Sequence, residues 1–243
     1  MKKVILAALL ASAAFGTQAA EKIRFASSAT YPPFESLNSE NQIVGFDIDL
    51  ANALCAQMKA ECSFTNNPFD SLVPALKFRR YDAVISGMDI TAERSKQVSF
   101  TQPYYANSAI IIAQQGKFTR VDQLKGKRVG VENGTTHQKY LQEKHPEIVT
   151  VAYDSYQNAI LDLKNNRLDG ILGDSAVVGA WLKTNPNLAS VGEHITDSDF
   201  FGTGVGIAVR KDNAALLAEF NAALDVLKAN GTIEKLNQRW FPQ

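Results

Sequence analysis

The sequence predicts an α/β fold in two lobes, each a mainly parallel sheet flanked by helices, with the lobes joined by a two-segment hinge. The first observation is the alternation of elements: a strand at 22–26, an amphipathic helix at 45–58 and a second strand beginning at 63. Another helix at 71–80 leads into a buried strand at 83–86. This order is typical of parallel sheets that carry helices on both faces.

A weak internal repeat is the second observation. Residues 76–86 are similar to residues 163–173 at a constant offset of 87, each segment carrying Leu-Lys, then Asp, then a short apolar run. General α/β patterning could produce this similarity as readily as duplication. The repeat suggests two lobes of similar construction. Because open α/β sheets bind ligands beyond the carboxyl ends of their strands, we expect a site after Ile85 and Leu172.

The two lobes are predicted to interrupt one another along the chain. A strand at 109–113 begins the second lobe, and a strand at 202–209 returns the chain to the first. Lobe one is therefore predicted to comprise residues 20–108 and 203–243, and lobe two residues 109–202. Two such connections form a hinge that can close around a ligand.

Residues 1–19 have the composition of a removable export signal. Lys2 and Lys3 precede an apolar run that is too short to span a bilayer, and a small-x-small motif ends at Ala19. We predict cleavage after Ala19; the alternatives are a buried first helix or a retained anchor. Removing the two lysines leaves 23 basic residues against 25 acidic ones, a net charge of −2. That charge argues against nucleic acid as a partner.

The two cysteines, Cys55 and Cys62, predict a disulfide that ties the end of a helix to the next strand. An even pair of cysteines close in sequence most simply forms a disulfide in an exported protein. A redox or metal site is the alternative. The chain has no Cys-x-x-Cys motif, however, and His137, His145 and His194 lack the spacing of metal ligands. We predict no metal and no cofactor.

Residues 129–137 predict a strand, a turn with Gly134, and a helix that begins near Thr135. Free N–H groups at such a helix N-terminus, together with the helix dipole, can hold a carboxylate or a phosphate. Capping of the helix by Thr135 or Thr136 is the alternative. A phosphate loop is excluded because no Gly-Lys-Ser/Thr sequence follows.

A polar cluster follows the last predicted strand of the first stretch of lobe one. Ser86 supplies a hydroxyl, Gly87 an accessible carbonyl, and Arg94 a planar group that can hold a carboxylate through two parallel hydrogen bonds. A surface ion pair of Arg94 with Glu93 or Asp89 is the alternative.

Asp174 occupies the corresponding strand end of lobe two. Its carboxylate could accept an ammonium group, or it could cap the helix that follows. Two aromatic residues, Tyr31 and Phe69, lie in polar loops, where they can stack on a planar or cationic group. Phe34, by contrast, is expected to pack in the core.

Taken together, these features resemble the periplasmic polar amino-acid-binding proteins of ABC importers, the family of the lysine/arginine/ornithine, histidine and glutamine binders. The resemblance spans nearly the whole chain after residue 20 and is closest to the arginine-specific members. It rests on seven features: Tyr31-Pro-Pro-Phe34, Gly45-Phe-Asp-Ile-Asp-Leu50, Cys55 with Cys62, Phe69-Asp-Ser-Leu72, Ile90-Thr91 with Arg94, Asn133-Gly-Thr-Thr136, and Phe201-Gly-Thr-Gly204.

The resemblance implies a two-lobed periplasmic-binding-protein fold and a monomeric subunit that works in the periplasm. It implies capture of L-arginine, or a related cationic amino acid, by hinge closure and delivery to the membrane permease. Arg94 would hold the ligand α-carboxylate, aided by Thr135 and Thr136. The α-ammonium would be held by Asp174 and the Ser86-Gly87 segment.

The resemblance also implies a site for the ligand side chain. Tyr31 and Phe69 would sandwich it, with Ser28 at its far end. Broad basic-amino-acid binders carry an aspartate where this chain has Ser28, so a direct carboxylate–cation bond is absent at that position. Glu35 is one candidate acceptor for a guanidinium group.

Two further departures lie near the ligand head group. Asp89 replaces a hydroxyl residue, and His137 replaces a glutamine. An additional negative charge facing the cleft favours a cationic ligand.

Other functions use the same scaffold. An enzyme similar to cyclohexadienyl dehydratase would use an acid in the cleft to eliminate water, and a receptor would use the lobes as a ligand sensor. Binding is favoured because the residues form a complete set for a zwitterion, without a Ser-His-Asp, metal or cofactor motif. Lysine, ornithine and histidine remain alternative ligands.

Overall fold

A computed structural model describes residues 21–242, so the predicted export signal lies outside the described residues. In this part of the chain, no helix is both long enough and apolar enough to cross a bilayer. The strands are β1 Lys22–Ser27, β2 Thr30–Tyr31, β3 Glu35–Leu37, β4 Ile43–Val44, β5 Glu61–Asn66, β6 Ala83–Val84, β7 Ser99–Phe100, β8 Ala109–Gln114, β9 Arg128–Glu132, β10 Val149–Tyr153, β11 Gly170–Asp174, β12 Leu188–Ile195 and β13 Ala208–Val209.

Helices pack against these strands. They are α1 Phe46–Met58, α2 Phe69–Lys77, α3 Ala92–Ser95, α4 Thr136–Lys144, α5 Tyr156–Lys164, α6 Ser175–Thr184, α7 Ser198–Phe201, α8 Ala214–Ala229 and α9 Thr232–Trp240, with a 3₁₀ turn at Val121–Leu124.

The strands form two five-stranded sheets of the same topology, and β2, β3 and β4 form a small third sheet. Sheet one has the order β5-β1-β6-β13-β7, and sheet two has the order β10-β9-β11-β8-β12. In each sheet, four strands run in one direction and the fourth in order runs against them. The reversed strands, β8 and β13, are the first strands after the chain leaves one main sheet for the other. The predicted α/β class is confirmed.

The internal repeat corresponds to equivalent elements. The end of helix α2 lies 87 residues before the end of α5, and the start of β6 lies 87 residues before the start of β11. Strands β6 and β11 are each third in the order of their sheet. Gly87 and Asp174 are related by the same offset of 87 residues, so they lie at equivalent strand ends of the two sheets.

Helix α1 shows how the local sequence builds the core beside sheet one. Gly45 precedes the helix with φ of 144°, and a Cβ there would lie 2.1 Å from the carbonyl oxygen of Phe34. A glycine is therefore required for this close approach. The helix buries Phe46, Leu50 and Leu54 and packs against α8 and α9. Burying each of these side chains contributes roughly 1.5–3 kcal/mol.

The strand predicted at 202–209 is shorter than expected, because only Ala208–Val209 joins sheet one. Gly202 and Gly204 have φ of 65° and 117°, and a Cβ on Gly202 would lie 1.9 Å from the carbonyl oxygen of Ile90. This segment instead forms an irregular connection that approaches the backbone closely. The predicted lobe boundaries fall in this connection and in the one between β7 and β8, and they stay predictions.

The disulfide between Cys55 and Cys62 is confirmed. Cys55 lies in the last turn of α1 and Cys62 in β5, with their Cα atoms 6.0 Å apart. The link closes a short loop around the helix end, where Lys59 adopts a left-handed conformation with φ of 57°.

Replacing both cysteines by serine is expected to lower the free energy of unfolding by about 2–3 kcal/mol, because the unfolded chain regains the entropy of the closed loop. Urea unfolding followed by circular dichroism measures the change. Dithiothreitol should destabilise the wild-type protein by the same amount and leave the double variant unaffected. Identical urea midpoints for the variant and the oxidised wild-type protein would contradict this expectation.

Candidate functional site

A small cavity lies where strand ends of the two sheets face each other. Concave sites lined by a few convergent polar groups are the usual form of small-molecule sites. Ser28 follows β1, Gly87 follows β6, Glu132 ends β9 and Asp174 ends β11. The lining residues are Ser28, Tyr31, Glu35, Phe69, Gly87, Asp89, Arg94, Glu132, Thr135, Thr136, His137, Tyr156 and Asp174.

The structure brings together ten of the eleven residues predicted to bind the ligand, together with the candidate acceptor Glu35. The exception is Ser86, which is buried behind the cavity wall. Its hydroxyl donates to Glu35 Oε1 at 2.9 Å and accepts from the Ser28 N–H at 2.9 Å. Ser86 therefore orients two residues of the lining, and its predicted contact with a ligand ammonium stays a prediction.

The β2–β3 hairpin supplies two residues of the cavity. Tyr31 and Glu35 face each other in the register of the two strands, and both side chains are buried. Phe34, which lies between them in sequence, packs against Phe46 and Phe241 with ring centroids 6.0 and 5.1 Å away. The predicted core position of Phe34 is confirmed.

Asp174 connects the hairpin to sheet two. Its Oδ2 accepts from the Tyr31 hydroxyl at 2.8 Å, and its Oδ1 lies 3.1 Å from His137 Nε2. Asp174 occupies the N-cap position of α6, but its side chain makes no capping hydrogen bond. The alternative that it caps the helix is therefore wrong. The Tyr31 ring also stacks on Tyr156, with centroids 5.1 Å apart.

Arg94 lies in the short helix α3, and its guanidinium group faces the cavity. It donates to the carbonyl oxygens of Asp89 at 3.1 Å and Gly134 at 3.3 Å, and it lies 5.4 Å from the Phe69 ring centroid. Among residues 21–242, the guanidinium forms no ion pair; Glu93 pairs with Lys139 instead. The alternative of a surface ion pair is therefore wrong, and the charge is available to an anionic group.

Asp89 lies next to Arg94 in a largely closed environment. Its carboxylate accepts from the Asn107 amide at 2.6 Å and from the Thr136 hydroxyl at 2.5 Å. Burial, then the charge of Asp174, raises the pKa of Asp89 to about 6. Burial also lowers the pKa of Arg94, although the charges of Asp89 and Asp174 act in the opposite direction.

The N-terminus of α4 faces the same end of the cavity. Thr135 caps the helix by accepting from the Gln138 N–H at 3.2 Å, so the capping interpretation is correct. Thr135 also lines the cavity with Thr136, so capping and a place in the site are compatible. Gly134 makes the preceding turn with φ of 76°, which glycine adopts without strain.

Glu35 and Glu132 form the opposite, acidic end of the cavity with Ser28. Glu132 is 3% exposed, and its Oε1 accepts a long hydrogen bond of 3.3 Å from the Thr30 hydroxyl. Burial raises the pKa of Glu132 to about 8. Burial, then the charge of Asp47, raises the pKa of Glu35 well above its ordinary value. Both pKa values rise because the ionised carboxylates would be buried without a cation.

Two lining residues, Glu132 and Tyr156, were missed from the sequence. Glu132 ends β9, so the rule that directed attention to the ends of β6 and β11 would have found it. Tyr156 begins α5, and its hydroxyl lies 3.1 Å from His137 Nδ1 and 3.1 Å from the carbonyl oxygen of Leu172. No local pattern distinguishes it from a core aromatic residue.

The buried charges specify the chemistry that the cavity can accommodate. Four acidic side chains line it, all at most 3% exposed, against the single guanidinium of Arg94. Asp89 and Asp174 are the acids whose charges act on Arg94. Glu35 and Glu132 lie at the other end of the cavity. An isolated buried charge is costly, so the favoured ligand carries one anionic group and more than one cationic group.

A buried cavity between two sheets of matching topology, lined by charged groups from both, defines a two-lobed solute-binding protein. The chain belongs to the bacterial extracellular solute-binding proteins, family 3, which match residues 23–243.

The similarity to individual relatives extends over the full length. The chain is 66% identical over 243 residues to ABC transporter arginine-binding protein 1 of Escherichia coli K12, with 100% of both chains covered. It is 44% identical over 241 residues to the arginine-binding periplasmic protein of Mannheimia haemolytica, with 99% of each covered. A solved structure of an arginine-specific periplasmic binding protein from Salmonella typhimurium matches with a TM-score of 0.89 and 56% identity. That match covers 91% of this chain and 100% of the other.

Proposed function

We propose that this protein captures L-arginine in the periplasm and delivers it to the membrane permease of an ABC importer. The single observation that carries the proposal is the charge distribution of the cavity: one guanidinium at one end and an excess of buried carboxylates. L-Arginine has the complementary groups, an α-carboxylate, an α-ammonium and a guanidinium. The relatives from E. coli, M. haemolytica and S. typhimurium, which are named as arginine-binding or arginine-specific proteins, support the same ligand.

The ligand α-carboxylate would bind Arg94. Its guanidinium is held in place by two backbone carbonyl groups, yet it has no carboxylate partner among the described residues. The N-terminus of α4, with Thr135 and Thr136, faces the same end and adds N–H groups and a favourable dipole. A charged donor and a helix terminus together favour a carboxylate.

The α-ammonium would bind the Asp174 carboxylate and the carbonyl oxygen of Gly87. These two residues lie at equivalent strand ends of the two sheets, so a single small cation can contact both. The hydrogen bonds from Tyr31 and His137 hold the Asp174 carboxylate in one orientation. Asp89 adds a second negative charge next to Arg94.

The guanidinium of the ligand would lie at the end formed by Glu35, Glu132 and Ser28. Tyr31 and Phe69 would flank the aliphatic part of the side chain. Glu132 would supply the charge that Ser28 does not. A guanidinium can share its planar donors between two carboxylates, whereas the ammonium of lysine is a compact charge, so this geometry favours arginine.

Closure of the two lobes would trap the ligand. We propose that the lobes comprise residues 20–108 with 203–243 and residues 109–202, and that they move about the two connections between the sheets. In the described conformation, hydrogen bonds already cross the cleft, from Thr136 to Asp89 and from Tyr31 to Asp174. A closed cavity surrounds the charges with protein groups and strengthens their attraction for the ligand.

The proposed function is binding without catalysis, which separates it from a dehydratase on the same scaffold. The acids of the cavity are accounted for by the cationic groups of the ligand. Prephenate and arogenate incubated with the protein should therefore be recovered unchanged, as measured by ultraviolet absorbance and chromatography. Turnover above that of a heat-denatured control would contradict the absence of catalysis.

A thermal-shift screen of ligand-stripped protein tests the ligand. The set is the twenty amino acids with ornithine and citrulline. L-Arginine at about 100 times its Kd should stabilise the folded protein by about 2.7 kcal/mol, because only the folded state binds it. The expected rise in Tm is about 5–10 °C, larger than for any other compound. The largest shift with an acidic or apolar amino acid would contradict the proposal.

Replacing Arg94 by alanine should weaken L-arginine binding by about 2–5 kcal/mol, because a buried carboxylate would lose its partner. That corresponds to a Kd roughly 30-fold to several thousand-fold higher, measured by isothermal titration calorimetry. Arg80→Ala is the matched control, since Arg80 is exposed and does not line the cavity. Equal affinities for the wild type and Arg94→Ala would show that Arg94 does not hold the ligand.

A further inference from the structure

Beneath the acidic end of the cavity, a second buried carboxyl group, that of Asp47, lies beside Glu35, and the Asp47 N–H donates to the carbonyl oxygen of Phe34 at 3.0 Å. Asp47 is 0% exposed, and its Oδ2 accepts from the Gly87 N–H at 2.7 Å and from the Tyr104 hydroxyl at 2.9 Å. Glu35 Oε1 accepts from Ser86. The two carboxyl groups thus accept hydrogen bonds from adjacent residues, Ser86 and Gly87. Their other oxygens, Glu35 Oε2 and Asp47 Oδ1, are buried and have no hydrogen-bond partner among residues 21–242.

Two adjacent carboxylates out of water cannot both be ionised at low cost, so the pair retains a proton. Asp47 is the better site for the negative charge because it accepts two hydrogen bonds and lies in the first turn of α1, where the helix dipole favours an anion. Burial raises the pKa of Asp47 to about 6, and burial with the charge of Asp47 raises that of Glu35 well above its ordinary value. Glu35 therefore holds the proton.

The surroundings of the pair contain further acids. The titratable groups that face it are Tyr104, from the connection before β8, and Glu132, from the end of β9. Glu132 opposes the ionisation of Glu35, whereas Tyr104 donates its hydroxyl hydrogen to Asp47. A ligand cation at this end of the cavity is therefore the group that can favour the ionised form of Glu35 over the protonated form.

We propose that Asp47 is a positioning residue that determines selectivity: with Glu35 it retains a proton while the acidic end is empty, and the proton leaves when a cationic ligand group binds Glu35. The inference rests on the proposed arginine-binding function. In this step, the O–H bond of Glu35 breaks, the proton passes to solvent, and the carboxylate pairs with the guanidinium. A neutral isostere such as citrulline leaves the proton in place.

The direction of the pH dependence follows from this exchange. The complex favours ionised Glu35, so L-arginine affinity rises with pH between the pKa of Glu35 in the complex and its higher pKa in the free protein. The slope equals the number of protons released, so this pair contributes at most about tenfold in affinity per pH unit.

Isothermal titration calorimetry of L-arginine at pH 7 in phosphate and in Tris measures the protons released per ligand bound. Wild type, Asp47→Asn and Glu132→Gln are compared. In Asp47→Asn, the amide keeps an oxygen for Gly87 and Tyr104 and donates its N–H to Glu35 Oε2, so Glu35 is already ionised. The number of protons released per L-arginine bound should therefore fall by up to about one in Asp47→Asn. A positive count should persist in Glu132→Gln, which removes the other acid of raised pKa at this end of the cavity.

The outcomes separate this inference from the proposed function. Arginine binding without proton release at any pH between about 5.5 and 8.5 overturns the inference alone, as does a count in Asp47→Asn equal to that of wild type. If Asp47→Asn does not fold, the Glu132→Gln variant provides the test. More protons released with arginine than with citrulline supports the inference. Equal numbers of released protons for the two ligands overturn it. Failure of wild type to bind arginine overturns the proposed function, together with the inference that rests on it.

Discussion

The hydrogen bond between the Tyr31 hydroxyl and the Asp174 carboxylate is the interaction on which the rest of the site depends. It joins a hairpin beside sheet one to the last residue of β11 in sheet two. His137 holds the second carboxylate oxygen, and Tyr156 contacts both His137 and the Tyr31 ring. One buried carboxylate thereby orients cavity-lining groups from both sheets.

The shared topology of the sheets explains why the charged residues converge. In each sheet the reversed strand is the first one after a crossing, and strand ends of both sheets line the same cavity. Gly87 and Asp174 occupy equivalent positions as a result. Short elements such as β6 therefore carry much of the site, because the loops after them are free to present side chains and carbonyl groups.

Several residues serve both the fold and the site. Thr135 caps α4 and lines the cavity, Ser86 orients Glu35, and Asp47 fixes the Gly87 loop from the first turn of α1. The structural and the ligand-binding interpretations of such residues are therefore compatible. For Asp174 the capping interpretation is wrong, because the side chain makes no capping hydrogen bond and its carboxylate contacts Tyr31 and His137 instead.

The sequence alone determined the α/β class and the disulfide, because strand periodicity and cysteine spacing are local properties. Strand-end position and loop composition indicated most of the cavity lining, whereas Ser28 and His137 were predicted from the family resemblance. The shortened β13 was not predictable, since close approach of Gly202 to Ile90 depends on a distant loop. Only the tertiary structure decided that Glu132 faces Ser28 and that Asp47 lies beside Glu35. Their burial and pKa values arise from groups far apart in sequence, and no local pattern contains those distances.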